Sequence, residues 1–393
     1  MNKILILLFL MNSLFSLDFE KEFATAELQM KQMELEFERS KLAQKNEFES
    51  YSQSLQKEYQ NYKNELKEFW IEPELSSQKE WVSYSQDKKS RSKVDFEKNT
   101  IIIDVIADSE ARAKEEIQKR LAYVVSKDTQ EVQSSDPLQK KIAKITTPKD
   151  KKPVVMDAKP ILQNVIFDKK PTEEEIQNYT EETVLKSKIE VKKSKVKDKN
   201  VYTMEVTLPK NSTLKRSQTY KSEIFKNANR FDISAPLVFA IMHTESNFNP
   251  FAKSHIPAFG LMQIVPHSAG RDVYQYLFKK KGQPTAAYLY NSTNNIEMGS
   301  TYLYILYYRY LRKIKNPQSR LYCSIAAYNT GAGNIAWAFI RRNNINRAVS
   351  KINAMTPDEV YKHLLANLKY DEPKHYLRRV KKRMSVYKKA YNL

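Results

Sequence analysis

The sequence feature that most constrains the fold is a change of apolar pattern past the middle of the chain. From Phe231 to Leu393 apolar residues recur at helical spacing, and no run alternates between apolar and polar residues as a strand would. The clearest stretches are residues 237–248, 296–311, 321–328 and 360–368. This pattern predicts an all-helical domain, which we place at residues 215–393.

The same region carries most of the positive charge of the chain. Lysine and arginine number 66 against 46 aspartates and glutamates, a net charge of +20. Residues 231–393 hold 24 basic and 8 acidic residues, a surplus of +16, and 16 of the 24 tyrosines. Such a surplus indicates an anionic partner such as nucleic acid, acidic lipid or cell-wall polymer. No recognisable nucleic-acid-binding motif accompanies it, so we expect no nucleic-acid partner.

Cysteine and histidine usage argues against a metal or cofactor. The single cysteine, Cys323, excludes an intramolecular disulfide, a zinc site of finger or ribbon type and an iron–sulfur cluster. His243, His255 and His267 do not form a helical i, i+4 ligand pair with an acid between them. We therefore expect neither a metal site nor a cofactor.

The first residues have the layout of a signal peptide. Lys3 precedes an apolar run at residues 4–10, and Ser13 and Ser16 follow it. The run is shorter than the about 20 residues that a spanning helix needs, and the alternative is a buried N-terminal helix. We expect residues 1–16 to be removed after export to the periplasm. No cysteine follows the run, so we expect no lipid anchor, and at most peripheral association with the wall or outer membrane.

Residues 17–70 have the rhythm of a long helix. Apolar residues recur in 4-3-4 steps between Phe19 and Phe69, with a change of register near residues 40–46, and Pro73 is expected to end the helix. The segment is either a solvated spacer helix or a coiled coil that self-associates or binds a protein partner through residues 19–69.

The pattern of residues 71–210 predicts a small α+β domain. Alternating apolar residues on both sides of a polar turn at residues 97–99 predict a β-hairpin, and residues 201–208 predict a further strand. Residues 109–127 predict a helix with one apolar face, formed by Ala113, Ile117, Leu121 and Val124. Residues 128–200 are polar and broken by prolines, so we expect loops and short elements there.

Acid–base chemistry in the helical domain would have to come from few carboxylates. The eight are Asp232, Glu245, Asp272, Glu297, Asp358, Glu359, Asp371 and Glu372. Five have structural explanations. Asp358 and Glu359 follow a proline at a predicted helix start, Glu297 is expected to form a cap pair with Asn294, and Asp371 and Glu372 are expected in a polar loop.

Glu245 lacks such an explanation. Ser234 is expected to cap a helix that Asn249 and Pro250 end, and Glu245 falls on its apolar face, four residues after Ile241. Burial raises the pKa of a carboxyl, which keeps it protonated near neutral pH and able to act as a general acid. The alternative is a structural glutamate paired with a lysine or arginine.

Several separated motifs in this domain resemble one family. The segments ESNFNPFAKSHIPAFGLMQIVP at residues 245–266 and AYNTGAGNI at residues 327–335, followed by Tyr376 in HYLRRV, resemble the catalytic domain of soluble-lytic-transglycosylase-type peptidoglycan enzymes in order and spacing. The resemblance covers residues 215–390. Residues 81–105 and 201–206 are similar to the N-terminal domain found in one branch of this family.

The resemblance implies a lysozyme-like helical fold that cleaves the MurNAc-β-1,4-GlcNAc bond without water. Glu245 matches the family's single catalytic acid. By analogy it protonates the glycosidic oxygen and then takes the proton of the MurNAc O6 hydroxyl, which closes a 1,6-anhydro ring. Most glycosidases use two carboxylates, whereas this family uses the N-acetyl group of its substrate in place of the second.

The resemblance also implies roles for seven further residues. Tyr376 matches a tyrosine whose hydroxyl contacts the catalytic glutamate. The implied substrate-binding residues are Ser246, Gly260, Met262, Gln263, Tyr328 and Asn329. In the family, the glycine lets the loop approach the sugar, the methionine and glutamine point toward it, the serine supports the N-acetyl side, and the tyrosine–asparagine pair hydrogen-bonds the substrate and the surroundings of the acid.

Each of these roles has a structural alternative, namely an ordinary turn for the loop and core packing for the two tyrosines. Gly331 and Gly333 are expected to end the helix that carries Tyr328. Phe259 departs from the family pattern, which has a small residue or leucine there, and is expected to narrow the groove beside the acid.

Three functions remain open at this point. The leading hypothesis is a periplasmic lytic transglycosylase acting on peptidoglycan strands. The second is a hydrolytic lysozyme, and the third is a non-catalytic wall-binding scaffold. A scaffold has no need for Glu245 and Tyr376, so the sequence favours an enzyme.

Overall fold

The computed structural model of the chain describes residues 2–145, 155–255 and 257–393; side chains before Thr25, and several between residues 26 and 48, lie outside this description. The backbone of the predicted signal segment is helical from Asn2, but its side chains lie outside the described ones. Contacts divide the chain into two compact units, residues 1–53 and 54–393.

One helix, α1, forms most of the first unit and runs into the second. It spans Asn2–Leu66 and contains neither proline nor glycine, so nothing interrupts its backbone at residues 40–46. It ends before the expected stop at Pro73. The long helix is confirmed, and the coiled coil stays a prediction. Within the second unit, the last turns of α1 bury the side chains of Leu55, Tyr59, Tyr62 and Leu66.

A five-stranded antiparallel sheet organises the α+β domain. Its order is β1-β2-β3-β5-β4. The predicted hairpin is confirmed, because β2 pairs with β3 and Val94 lies opposite Ile101. The predicted strand after residue 200 is β5, which pairs with β3 and β4. The strands are β1 Glu80–Tyr84, β2 Ser90–Asp95, β3 Thr100–Ala107, β4 Ile189–Lys193 and β5 Asn200–Thr207.

Helices complete this domain. The predicted helix α2, Glu110–Ser126, is confirmed, and its four predicted apolar residues are fully buried. The expectation of only short elements in residues 128–200 is wrong for α6, which runs for 14 residues after a capping box formed by Thr172 and Glu175. Pro148 and Pro153 lie outside the described residues. The remaining helices are α3 Thr129–Ser135, α4 Pro137–Ala143, α5 Gln163–Ile166 and α6 Glu173–Lys186.

The region after β5 is helical, as predicted. Its described residues contain no strand, and only isolated bridges pair Phe259 with Lys253 and with Ile264. Two π-helical turns occur at Pro266–Gly270 and Ile305–Tyr310. The helices are α7 Ser212–Thr219, α8 Lys221–Phe231, α9 Ala235–Ser246, α10 Arg271–Phe278, α11 Ala286–Tyr290, α12 Ser292–Tyr304, α13 Pro317–Thr330, α14 Ala332–Ile340, α15 Ile345–Asn353, α16 Pro357–Asn367 and α17 Asp371–Ala390.

Two predicted helix starts are wrong. Asn291, not Asn294, caps α12, because its side chain accepts a hydrogen bond from the backbone N–H of Asn294. Glu297 therefore lies inside the helix, where it pairs with Arg230. Asp371 and Glu372 form the first turn of α17 rather than a loop, a position that suits carboxylates at a helix N-terminus.

The start of α16 is as predicted. Pro357 is its first residue, and Thr356 and Glu359 form a capping box. Across the residues whose side chains are described, we find no helix long and apolar enough to span a membrane.

Candidate active site

Helix α9 positions Glu245 at its C-terminal end. The helix is apolar and almost completely buried between α8 and α17. It ends at Ser246, before the predicted stop, because Asn247 adopts a left-handed conformation with φ of 52°, which asparagine tolerates better than most residues. Ser234 occupies the N-cap position as predicted, but its side chain makes no capping hydrogen bond.

Glu245 forms a short hydrogen bond with a tyrosine from another helix. The Tyr376 hydroxyl on α17 donates to Oε1 of Glu245 over 2.6 Å, and the tyrosine is 1% exposed. The structure thus brings together the two residues that the sequence assigned to catalysis.

The surroundings of Glu245 favour its protonated form. Burial raises the pKa of Glu245 to about 7, against the opposing effects of the Tyr376 hydrogen bond and the positive charge of Lys79. A carboxyl with this pKa is present in both protonation states near neutral pH. It can therefore donate a proton in one step and accept one in the next.

Tyr328 and Asn329 lie near the C-terminal end of α13. The Tyr328 hydroxyl donates to the carbonyl of Met262 over 2.9 Å, and its ring packs against Tyr302 at 5.4 Å. Burial raises the pKa of the Tyr328 hydroxyl, and the negative charge of Glu245 adds to this effect. Asn329 is partly exposed. Gly331 ends α13 as predicted, whereas Gly333 lies inside α14.

Ser246 joins the end of α9 to the loop at residues 259–264, which we call the GLMQI loop. Its hydroxyl lies 2.7 Å from the carbonyl of Leu261 and 3.1 Å from that of Met242, and it accepts a hydrogen bond from the backbone N–H of Phe248. The side chain is fully buried. Its contacts therefore fix the loop against the helix that carries the acid.

The side chains of Met262 and Gln263 are directed into the protein. Met262 is fully buried against Gly299, and its backbone N–H donates to Asn295 Oδ1 over 2.8 Å. Gln263 is 7% exposed, and its Nε2 donates to the carbonyls of Ala252 and Gly260, both at 3.0 Å. Their position in the loop is as expected, but these contacts support the loop from inside.

The backbone of Gly260 lies close to other parts of the protein, and not beside open space where a sugar could bind. Its φ is +73°, and an added Cβ would lie 2.3 Å from the carbonyl oxygen of Leu289 and 2.4 Å from Nδ2 of Asn295. Phe259 is 1% exposed and packs edge-on against Tyr290 at 5.7 Å. The expectation that Phe259 narrows the groove is wrong, because its ring belongs to the core.

Among the histidines near the motifs, His243 lies beside a tyrosine of α17. Nδ1 of His243 lies 3.0 Å from the hydroxyl of Tyr387, and burial lowers the pKa of His243 to about 3. Among the residues whose side chains the structure describes, no three His, Cys, Asp or Glu residues lie close enough to hold a metal ion together.

Sequence reasoning missed the contribution of the α+β domain. The ammonium group of Lys79 donates to the carbonyl of Thr244 over 2.6 Å, one residue from the acid. The Gln78 side-chain amide donates to Oε1 of Gln263 over 3.2 Å. No local signal could have found these contacts, because they join segments more than 160 residues apart.

Much of the helical region is similar to known proteins. Residues 222–350 match the sequence profile of the family described as the transglycosylase SLT domain. The chain is 41% identical over 191 residues to the membrane-bound lytic murein transglycosylase C of Sodalis glossinidius, covering 49% of this chain and 53% of that protein. It is 45% identical over 167 residues to the protein of the same name from Haemophilus influenzae, covering 42% of this chain and 46% of the relative.

The chain spans about half the length of these curated relatives. Among solved structures, the soluble 70 kDa lytic transglycosylase of Escherichia coli aligns with a TM-score of 0.34 at 24% identity, covering 44% of this chain and 24% of that one.

Proposed function

We propose that the chain is a lytic transglycosylase that cleaves the MurNAc-β-1,4-GlcNAc bond of peptidoglycan without water and leaves 1,6-anhydro-MurNAc ends. The match of residues 222–350 to the transglycosylase SLT domain and the names of the relatives support this class of reaction. The observation that carries the proposal is the hydrogen bond between Tyr376 and a Glu245 carboxyl with a pKa of about 7.

In the first step Glu245 acts as the general acid. Its proton passes to the glycosidic oxygen while the bond between this oxygen and C1 of MurNAc breaks, so the GlcNAc hydroxyl leaves neutral. Tyr376 holds the carboxyl in position through its hydroxyl. The N-acetyl group of the substrate stabilises C1, in the role that a second carboxylate has in most glycosidases.

The surroundings of Glu245 agree with a mechanism of this kind. One carboxylate that acts on its pKa is Glu372, whose side chain is 58% exposed and lies 3.5 Å from Arg379. An exposed, paired carboxylate in the first turn of α17 is a poor candidate for a nucleophile.

In the second step the ionised Glu245 acts as the base. It takes the proton of the MurNAc O6 hydroxyl as O6 bonds to C1, and this closes the anhydro ring and restores the protonated glutamate. The proton that left in the first step is replaced in the second, so the reaction consumes no water and needs no cofactor.

We further propose that six residues shape the substrate-binding surface. Tyr328 and Asn329 would contact the glycan directly from the end of α13. The other four would act through the GLMQI loop, whose conformation they fix by the contacts described above: Ser246, Gly260, Met262 and Gln263.

The substrate of this reaction lies in the bacterial envelope, and we propose that the chain acts there. The apolar run at residues 4–10 supports export through a cleaved signal peptide. The exposed apolar side chains of α1, such as Leu28 and Met33, support a protein partner or self-association through residues 19–69.

The proposal predicts that Glu245→Gln abolishes the release of soluble fragments from purified peptidoglycan. General acid catalysis contributes about 10²- to 10⁴-fold, and one residue serving as acid and base should lie at the upper end of that range. The measurement is the rate of release from dye-labelled sacculi.

Glu297→Gln is the matched control. It makes the same substitution in the same domain at an ion pair with Arg230, and such surface pairs contribute at most about 1 kcal/mol. Release by Glu245→Gln at the rate of the wild type and this control would contradict the proposed function.

A further inference from the structure

The α+β domain contributes a lysine to the end of the helix that carries Glu245. Nζ of Lys79 donates to the carbonyl of Thr244 over 2.6 Å and lies 3.5 Å from the carbonyl of His243 and 3.3 Å from Oδ1 of Asn247. The carbonyls in the last turn of a helix have no partner within the helix. Lys79 therefore caps the C-terminal end of α9. It contacts residues that precede Glu245 in sequence and one that follows it.

We propose that Lys79 is a positioning residue for the transglycosylase reaction, through which the α+β domain sets the proton affinity of Glu245. The proposal rests on the proposed function. A carboxylate at the C-terminal end of a helix meets the negative end of the helix dipole, which disfavours its ionised form. An ammonium group bound to the same carbonyls offsets that effect and so makes the ionised Glu245, which the second step requires, accessible.

The electrostatics of the two groups agree with this role. Burial lowers the pKa of Lys79 to about 8, and the negative charge of Glu245 opposes that change. Conversely, the positive charge of Lys79 opposes the rise in the pKa of Glu245. The other titratable or charged groups that act on this pair are Tyr328 from α13, Glu372, Tyr376, Arg379 and Arg383 from α17, Glu97 from the β2–β3 turn and His243 from α9.

The segment around Lys79 is held firmly against the helical domain. The Asn249 side-chain amide lies 3.3–3.4 Å from the carbonyls of Ser77, Gln78 and Glu80. On the other side of Lys79, the ring of Trp81 stacks on Phe251 at 5.3 Å. The backbone on both sides of Lys79 is thus held against the helical domain.

A second contact fixes the same end of α9. Arg216 is 2% exposed and donates to the carbonyl of Phe96 over 2.8 Å and to that of Asn247 over 3.3 Å. The Asn247 amide also donates to the Phe96 carbonyl. The α+β domain therefore contacts the end of α9 through Lys79, which directly precedes β1, and through the β2–β3 turn, so the environment of the acid depends on both domains.

The first test is the pH dependence of kcat/KM for Lys79→Met and Lys79→Arg in the full chain. Activity requires protonated Glu245 in the free enzyme, so it falls as the pH rises through the pKa of that group. Without the positive charge of Lys79 that pKa rises, and the alkaline limb should move to higher pH by on the order of one unit. Arginine keeps the charge and should leave the limb near its wild-type position.

Lys114→Met is the matched control. Lys114 lies on α2 of the same domain, is 49% exposed and pairs along its own helix with Glu110. The control should retain the wild-type profile. The proposal would be overturned if the alkaline limb of the kcat/KM profile of Lys79→Met stayed at its wild-type position. It would also be overturned if Lys79→Arg shifted the limb as far as Lys79→Met does.

A direct titration separates this inference from the proposed function. Carbon-13 NMR of side-chain-labelled glutamate, with the Glu245 signal identified by its loss in Glu245→Gln, reads the carboxyl without any turnover. The midpoint should rise in Lys79→Met and stay unchanged in Lys79→Arg; Lys79→Gln serves if Lys79→Met does not fold. An unchanged midpoint in a folded, uncharged variant would overturn the role of Lys79. A wild-type chain that releases no anhydro-muropeptides would instead contradict the proposed function. The titration would still show whether Lys79 changes the pKa of Glu245.

Discussion

At the residue scale, the contact between Tyr376 and Glu245 joins side chains that are 131 residues apart in sequence. Tyr376→Phe keeps the ring and removes only the hydroxyl. If the hydroxyl orients the acid, kcat should fall at least about tenfold, while stability changes by about 0.5–1.5 kcal/mol, the usual contribution of one hydrogen bond. Kinetics on sacculi and thermal unfolding check both. A large loss of stability with unchanged kcat would leave Tyr376 a purely structural role.

Glu245 itself should destabilise the folded protein at neutral pH. Its pKa is about 7 in the fold against 4.5 as the ordinary value, so its contribution to stability is fully present below pH 4.5 and is lost as the pH rises through 7. A shift of this size corresponds to on the order of 3 kcal/mol. Glu245→Gln, which cannot ionise, should therefore be more stable than the wild type at pH 7.5, and this advantage should shrink as the pH falls to 4.5. Denaturant unfolding at the two pH values measures it, and a pH-independent difference would contradict the raised pKa.

At this scale the sequence predicted the contact between Tyr376 and Glu245, but the side chains of Met262 and Gln263 have other directions than expected. Glu245 stood out because a carboxyl on an apolar helix face has no structural explanation. Met262 and Gln263 were expected to point toward substrate, yet they face Gly299 and the carbonyls of the loop. A motif gives the identity of a loop residue, whereas the direction of its side chain depends on the backbone conformation and on neighbours from α12.

At the scale of elements, the GLMQI loop depends on one glycine. Gly260→Ala should destabilise the chain by at least about 2 kcal/mol, because the left-handed backbone costs about 1–2 kcal/mol for a residue with a Cβ and the methyl group would collide with Asn295. The activity should fall with it, since we propose that this loop shapes the substrate-binding surface. Thermal unfolding and sacculus digestion are the measurements.

Gly333→Ala provides the comparison for Gly260→Ala. Gly333 lies inside α14, where an added Cβ would meet ordinary contacts at 3.4 Å and beyond. Alanine there should be neutral or stabilising, by up to about 1 kcal/mol. Equal stability losses in the two variants would show that the conformation of Gly260 carries no special cost.

The elements predicted from periodicity are mostly present, and the errors concern their ends. The β2–β3 hairpin follows from the alternating apolar pattern, and α2 follows from the helical pattern. The apolar residues of both patterns are buried in the structure. The start of α12 was misplaced because Asn291 caps it three residues before the asparagine chosen from the sequence. Several residues near a helix start can serve as the N-cap. Which of them does so depends on the conformation of the chain before the helix.

At the scale of the whole molecule, the sequence predicted an α+β domain and a helical domain, which lie in one compact unit of residues 54–393, but it did not predict the contacts between them. The contact of Ser77–Trp81 with Thr244–Lys253 includes hydrogen bonds to backbone carbonyls from Lys79 and from the Asn249 amide, and the stack of Trp81 on Phe251. None of these residues has a sequence pattern that marks it as part of an interface. The surplus of +16 in residues 231–393 is readable from composition, and it suits a polymer that bears acidic peptides.

The most direct test of the central claim is digestion of peptidoglycan in water enriched in oxygen-18, with mass spectrometry of the released muropeptides. Transglycosylation uses the O6 hydroxyl of the substrate, so the account predicts 1,6-anhydro ends that contain no oxygen-18 and resist borohydride reduction. Hydrolysis would add one water at each cleavage, and reducing ends labelled with oxygen-18 would contradict the account.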